Sequence, residues 1–124
     1  MNQEKIETIS INGVDYVRAD AIAKQASTID GMEYVIVRTQ TAGVFAGYIE
    51  SRFGQEVVLR KARRIWYWNG AASLSQLAID GTSKPDTCKF PQEVEKVQLL
   101  NAIEILDVTK KAQESIASVK VWKQ

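Results

Sequence analysis

The chain has 124 residues, of which 45% are hydrophobic and 25% are charged, as in an ordinary globular domain and unlike a disordered chain. Sixteen Lys and Arg residues nearly balance fifteen Asp and Glu residues, so no overall charge attracts the protein to nucleic acid or to an anionic membrane. With no histidine and a single cysteine, Cys88, the sequence argues against an internal disulfide, a Cys-rich zinc site and the usual transition-metal sites. We therefore expect one domain without a metal or cofactor, in a reducing cytosolic setting.

The amino-terminal segment predicts a β-hairpin. Residues 6–18 alternate apolar and polar positions around an Asn-Gly pair, which readily supplies the two positive φ angles of a tight hairpin turn. The Ala-rich residues 19–26 predict two helical turns, and residues 27–31 predict a linker. We expect no signal peptide and no membrane span, because no long apolar run is present. The sequence thus predicts a hairpin and linker over 1–31 and a compact ligand-binding domain over 32–124.

The middle of the chain predicts antiparallel strands. Three runs rich in β-branched and aromatic residues lie at 33–39, 44–51 and 55–62, and Gly-containing turns separate them. The run at 62–68 predicts a fourth strand, which ends at an Asn-Gly pair. Apolar residues at helical spacing then predict a short helix over 72–79.

The carboxyl-terminal part predicts a loop, further strands and a helix. Residues 80–92 are rich in Gly, Thr, Ser, Pro and Asp, which is typical of a surface loop. Residues 94–109 fit helix spacing in part and strand alternation in part, and we favour strands. Thr109 or Asp107 could cap a final helix over 110–118. The predicted fold class is therefore α+β, an antiparallel β-sheet with an amino-terminal hairpin and short helices in a single compact domain.

The sequence lacks the common catalytic motifs. Ser and Cys triads and HExxH zinc sites need histidine, and neither a GxxxxGK[ST] loop nor a GxGxxG turn is present. A magnesium ion or an acid–base pair could use Glu93, Glu95, Glu104 and Asp107, although Glu93, Glu95 and Glu104 lie in patterns that fit a solvated polar face. Cys88 lies in a Lys-flanked loop that could favour a thiolate, but without a partner base an inert thiol is the simpler interpretation. The sequence therefore predicts a protein that is not an enzyme.

The densest unusual stretch is residues 62–75, where basic and aromatic residues precede a helix start. Aromatic planes stack on bases, guanidinium groups fork onto phosphates, and free N–H groups at a helix start favour anions. In a strand, Ile65 and Tyr67 would face the core. The opposite face would then carry Arg64, Trp66 and Trp68. Such a face could meet another subunit, another sheet or a ligand.

A polar turn after Arg38 and Thr39 supports the ligand alternative. Residues 40–43 are polar and flexible, and they end at Gly43. Gly47 lies inside the next strand, where glycine often marks a bulge or a close approach by a ligand or another backbone. These segments together predict a shared binding edge.

Four segments resemble a family of small phage and prophage proteins: YVIVRTQTAGVFAGYIESR, EVVLRKARRIWYWNGAASLSQLA, CKFPQEV and AIEILDVT. Through them the sequence is similar to the Thoeris anti-defence family, compact hexamer-forming sponges that sequester cyclic ADP-ribose-type immune signals. The resemblance covers residues 33 to about 118 and leaves the amino-terminal hairpin outside. It implies a protein without enzymatic activity, whose pockets form between subunits and which releases the intact signal when it is denatured.

The resemblance suggests that basic and aromatic residues of the matching segments bind the ligand. A diphosphate needs paired guanidinium donors, and a buried purine needs a flat apolar face. The candidate phosphate ligands are Arg38, Arg63 and Arg64, and the candidate stacking residues are Trp66, Trp68 and Phe90. Asn69 could read a base edge or simply form the turn. Thr39 and Gly43 complete the predicted ligand-binding site.

Three functions follow from these observations. The first is a homo-oligomeric phage protein in the host cytoplasm that sequesters a nucleotide-derived small molecule. The second is a nucleic-acid-binding accessory protein that uses the same Arg and Trp residues on a β-sheet. The third is a structural or partner-binding protein whose tryptophans form only an oligomer interface.

Overall fold

The computed structural model describes residues 24–124, and the hairpin predicted at 6–18 lies outside that range. The described part is a single compact domain with an antiparallel five-stranded sheet and two short helices, which confirms the α+β prediction. No helix within residues 24–124 is long and apolar enough to cross a membrane. The elements in chain order are β1 (Tyr34–Thr39), β2 (Val44–Phe53), β3 (Glu56–Arg64), α1 (Leu74–Asp80), β4 (Val94–Leu99), β5 (Ala102–Asp107) and α2 (Lys110–Ser118).

The sheet is curled, because its two edge strands are consecutive in the chain. The strand order is β4-β3-β2-β1-β5, so β4 and β5 lie at opposite edges. Only two residues separate the end of β4 at Leu99 from the start of β5 at Ala102, and such a short link requires the edges to approach each other at that end. The inner face of the curl buries Val35, Val37, Phe45, Val57, Leu59, Ala62, Leu99 and Ala102.

The other face of the sheet packs against both helices. Ile36 and Ala46 of the sheet contact a cluster that includes Leu77 of α1 and Ile116 of α2. Phe90, from the loop before β4, is fully buried in the same cluster. Because alternate residues of a strand point to opposite faces, the sheet supports one apolar core on each side.

Both helices begin at hydroxyl caps. The Ser73 hydroxyl accepts a hydrogen bond from the Gln76 backbone N–H at 3.1 Å, and the Thr109 hydroxyl accepts one from the Ala112 N–H at 3.1 Å. Thr109 also donates to the Ile79 carbonyl at 2.6 Å, which ties the start of α2 to α1. The prediction of a final helix over 110–118 is confirmed, with Thr109 and not Asp107 as its cap.

One local prediction is wrong, and a second fails in the part that the structure describes. Residues 62–68 do not form a separate fourth strand, because β3 continues without a turn to Arg64 and the chain then leaves the sheet. Beyond that point Tyr67 forms an isolated bridge with Lys89. Of the helix predicted at 19–26, residues 19–23 lie outside the described range and residues 24–26 are not helical, since Gln25 forms a bridge with Thr109. At Gln25 this pairing with a distant segment outweighs the local preference of an Ala-rich sequence for helix.

Arg63 of β3 is buried and connects the loop before β4 to the end of α2. Its Nε donates to the Pro91 carbonyl at 3.0 Å, and its Nη1 donates to the Ile116 carbonyl at 2.9 Å. Its Nη2 donates to the carbonyls of Phe90 at 3.1 Å and Val119 at 2.6 Å. Burial lowers the pKa of the guanidinium group, and the nearby Tyr34 and Glu93 oppose that shift.

We expect the substitution Arg63→Met to lower the free energy of unfolding by about 3 kcal/mol or more, because it leaves several buried carbonyl groups without a charged donor. The matched control is Arg64→Met, one residue along the same strand but partly exposed, for which a loss below about 1 kcal/mol is expected. Urea denaturation followed by far-ultraviolet circular dichroism measures both. Equal losses in the two variants would contradict a structural role for Arg63.

Candidate ligand-binding site

The turn between β1 and β2 is held in shape by Thr39. Its hydroxyl accepts a hydrogen bond from the Ala42 N–H at 2.9 Å and donates to the Gly43 carbonyl at 2.8 Å. Gly43 has a φ of 98°, a conformation that L side chains rarely adopt. A Cβ atom at this position would lie 3.3 Å from Nη1 of Arg64. The turn therefore approaches the Arg64 side chain as closely as a glycine permits.

Arg64 lies across this turn. Its Nη1 donates to the Ala42 carbonyl, and its guanidinium carbon lies 4.3 Å from the centroid of the Phe45 ring. Within residues 24–124, no carboxylate lies at ion-pair distance from this guanidinium group. Arg64 thus combines a fixed position with a positive charge that the described part of the chain does not neutralise by an ion pair.

Two tryptophans complete a cavity beside Arg64. Trp66 is 63% exposed, whereas Trp68 is half-buried against the core. Together with the turn they enclose about 420 Å³, within the range usual for small-molecule sites. We call this cavity the tryptophan pocket, and it is lined by Thr41, Ala42, Gly43, Val44, Arg64, Ile65, Trp66 and Trp68.

Four of the nine predicted site residues therefore lie together. Gly43, Arg64, Trp66 and Trp68 line the tryptophan pocket, and Thr39 shapes the turn that forms one of its walls.

The remaining four predicted site residues lie elsewhere. Arg38 pairs with Glu104 on the surface, with Nε and Oε1 2.9 Å apart. Arg63 donates to four carbonyls, and Phe90 is fully buried beneath it, with the guanidinium 5.4 Å from the ring centroid. The Asn69 side chain donates to the Thr87 hydroxyl at 3.3 Å. Each of these four side chains thus contacts other parts of the protein, and none of them lines the tryptophan pocket.

Of the two residues predicted to face the core after β3, only one does so. Ile65 is buried as predicted, but Tyr67 is 49% exposed and not part of the core. The ammonium group of Lys89 lies 5.8 Å from the centroid of the Tyr67 ring. The alternation fails because the chain has already left the sheet at this point.

Cys88 and the carboxylates of residues 24–124 do not form a metal-binding cluster. Cys88 is buried in the core that contacts the helices, and its sulfur lies 3.5 Å from the Asn69 backbone nitrogen. Among the described residues, no three Cys, Asp or Glu side chains are grouped as a metal site would require.

Sequence reasoning missed a larger cavity between α2 and the sheet. It encloses about 480 Å³, and we call it the helix cleft. Tyr34 of β1, Tyr48 of β2 and Gln113 of α2 line it, together with Lys61 and Arg63 of β3. The sequence positions of these residues are far apart and follow no short motif. One indication was available in the sequence: Tyr34, Tyr48 and Gln113 are polar residues at otherwise apolar positions of strands and helix, and such residues are usually hydrogen-bonded when they are buried.

The fold and its cavities define a small α+β protein built on a curled antiparallel sheet. The chain belongs to the family described as a domain of unknown function (DUF6948), whose profile matches residues 32–116. The match begins before β1 and ends within α2, so it covers the sheet, α1, the tryptophan pocket and part of the helix cleft. No curated protein and no solved structure matches the chain.

We expect Gly43→Ala to disturb the tryptophan pocket and Gly54→Ala to leave it intact. Both glycines have positive φ, so each substitution should destabilise the protein by about 1 kcal/mol. A Cβ at Gly54 meets nothing within 4 Å, whereas one at Gly43 approaches Arg64. The indole N–H signals of Trp66 and Trp68 in a ¹H–¹⁵N spectrum should therefore shift only in Gly43→Ala. Unchanged indole signals would show that the turn does not position Arg64.

Proposed function

We propose that the protein binds a small nucleotide-derived molecule in the tryptophan pocket and holds it without chemical change. The observation that carries this proposal is the juxtaposition of Arg64 with the rings of Trp66 and Trp68 around one cavity. A guanidinium group without an ion-pair partner suits a phosphate, and an exposed indole ring suits a purine. The sequence offers no histidine and no phosphate-binding loop for turnover, which supports binding over catalysis.

In its finer form, the proposal is sequestration of a cyclic ADP-ribose-type immune signal by a phage protein in the host cytoplasm. The support is the resemblance of four sequence segments to the Thoeris anti-defence family. Two of those segments contribute every residue that lines the tryptophan pocket. The ligand chemistry expected for that family, a purine joined to phosphates, is also the chemistry that one guanidinium group and two indole rings favour.

We propose that the binding form is a homo-oligomer, a hexamer if the resemblance holds. Trp66 exposes 63% of its surface, and Tyr67 beside it exposes 49%. Adjacent exposed aromatic rings are typical of an interface. A second copy that covers Trp66 would enclose a ligand from the open side and exclude water from the phosphate contacts of Arg64.

A nucleic-acid-binding function is the second candidate, and one observation favours it. Trp66 and Tyr67 are exposed in succession, and the Lys89 ammonium lies near the rings of both Tyr67 and Trp122, at 5.8 and 5.7 Å. A row of rings and cations can stack successive bases of a single strand. Such binding would extend beyond the tryptophan pocket along the surface.

Binding is tested with cyclic ADP-ribose isomers and ADP-ribose as probes, by calorimetry and by native mass spectrometry. We expect Trp66→Ala and Arg64→Ala each to weaken binding by at least about tenfold, since a lost stacking or charged contact costs about 1–3 kcal/mol. The matched controls are Trp122→Ala and Arg52→Ala, which lie outside the pocket and should bind like the unsubstituted protein. Equal weakening in the controls, or no binding of any probe, would overturn the proposal.

Two further measurements separate the alternatives. The bound probe is released by heating and analysed by chromatography, and a changed product would show that the protein is an enzyme. Affinity for single-stranded DNA is measured at 50 and 200 mM salt, because binding to many phosphates weakens by about 10³-fold or more over such a range. A strong salt dependence with DNA, without binding of the small probes, would favour the nucleic-acid function.

A further inference from the structure

The helix cleft has the size and the walls of a small-molecule site. Its volume of about 480 Å³ exceeds that of the tryptophan pocket and lies within the range of known ligand cavities. One wall is apolar and consists of Ile116, Ala117 and Val119, at the end of α2. The opposite wall is formed by two tyrosines of the sheet, so a ligand would lie between aliphatic and aromatic surfaces.

The two tyrosines present hydroxyl donors to this cavity. The rings of Tyr34 and Tyr48 lie edge to face, with centroids 5.0 Å apart. The Tyr48 oxygen accepts a hydrogen bond from Nε2 of Gln113 at 3.1 Å, so its own O–H remains available to donate. Gln113 is fixed by two further bonds to Ser27, in which Oε1 accepts from the backbone N–H at 2.9 Å and Nε2 donates to the carbonyl at 3.1 Å.

The Tyr34 hydroxyl provides the second donor. Burial raises the pKa of Tyr34 well above its usual value, so the phenol keeps its proton at neutral pH. Within residues 24–124, no group accepts a hydrogen bond from it. A hydroxyl without a protein acceptor can donate to a ligand oxygen or nitrogen in the cleft.

Within residues 24–124, the four charged residues that line the helix cleft, Lys61, Arg63, Glu93 and Glu114, have formal charges that sum to zero. Lys61 Nζ lies 3.8 Å from Glu95 Oε1, and Glu114 Oε2 lies 3.3 Å from Lys110 Nζ. Arg63 donates to four carbonyls, and Glu93 is near enough to raise its pKa. A charged ligand would therefore lose its hydration without gaining an unpaired countercharge, which is unfavourable.

The backbone at the edge of the cleft is strained. Lys61 has a φ of 49°, a conformation uncommon for a residue with a side chain. It lies at a register shift between β2 and β3, where Gly47 approaches so closely that a Cβ would lie 3.0 Å from the Ala62 Cα atom. Bulges of this kind redirect side chains and concentrate at functional sites. Here the irregularity lies in the segment of β3 that supplies Lys61 and Arg63 to the cavity.

We propose that the helix cleft binds an uncharged, planar small molecule whose oxygen or nitrogen acceptors receive hydrogen bonds from Tyr34 and Tyr48. The ring of the ligand packs between the tyrosines and the apolar wall of α2. This site is separate from the tryptophan pocket and does not depend on the function proposed there.

The proposal is tested with three probes of nearly the same shape and different charge: benzamide, benzoate and benzylamine. Each is titrated into the ¹⁵N-labelled full chain, and the backbone signals of residues that line the cleft are followed. We expect benzamide to shift the signals of Ser27, Gln113 and Ala117 in a saturable manner. Benzoate and benzylamine should bind at least tenfold more weakly.

Two variants locate the binding site. Tyr34→Phe removes one hydroxyl and keeps the ring, and it should weaken benzamide binding about fivefold, the usual effect of one hydrogen bond. Ala117→Phe places a ring from an exposed position of α2 into the cleft and should abolish binding. Trp66→Ala alters only the other pocket and should leave benzamide binding unchanged.

The benzamide titration can either support or overturn the proposal. Selective binding of benzamide that both cleft variants weaken would support the proposal. Absence of benzamide binding at millimolar concentrations would overturn it, and so would tighter binding of benzoate or benzylamine. A negative result for the helix cleft would not affect the function proposed for the tryptophan pocket, because that pocket is tested with different variants and probes.

Discussion

The carboxyl-terminal part of the fold depends on one buried cation. The last carbonyl groups of a helix have no partner within the helix, and the negative end of the helix dipole lies there. α2 is followed by Val119 in extended conformation and not by a glycine cap. The Val119 N–H donates to the Ile116 carbonyl, and Arg63 of β3 donates to the carbonyls of both Ile116 and Val119. The planar guanidinium group also donates to the carbonyls of Phe90 and Pro91 in the loop before β4. A lysine, with a single nitrogen, could not reach all four carbonyls.

The two adjacent arginines of β3 serve opposite faces of the sheet. Arg63 pairs with Ala46 in the sheet register and faces the helices, whereas Arg64 pairs with Phe45 and faces the turn. Because side chains alternate along a strand, a shift of one residue would exchange the two positions. The register of β3 therefore determines which guanidinium group stabilises the core and which remains available to a ligand.

The sequence predicts those features that local patterns determine. Strand alternation and a hydroxyl before a helix identify most elements and the cap at Thr109, because both signals lie within a few residues of their effect. The burial of Arg63 and Phe90 could not be predicted in this way, since an arginine pair and a Pro-bounded loop are both typical of the surface. The helix cleft could not be predicted either, because Tyr34 and Gln113 come together only when α2 packs against the sheet.

The two cavities differ in the property that selects a ligand. Within residues 24–124, Arg64 is the one charged wall residue of the tryptophan pocket, whereas in the helix cleft Lys61 and Arg63 are offset by Glu93 and Glu114. An anion therefore gains a charged contact in the first and only loses water in the second. The two cavities share no lining residue, although Arg63 of the helix cleft and Arg64 of the tryptophan pocket are consecutive in β3. The chemistry of the walls therefore favours a phosphate-bearing ligand in the tryptophan pocket over the helix cleft.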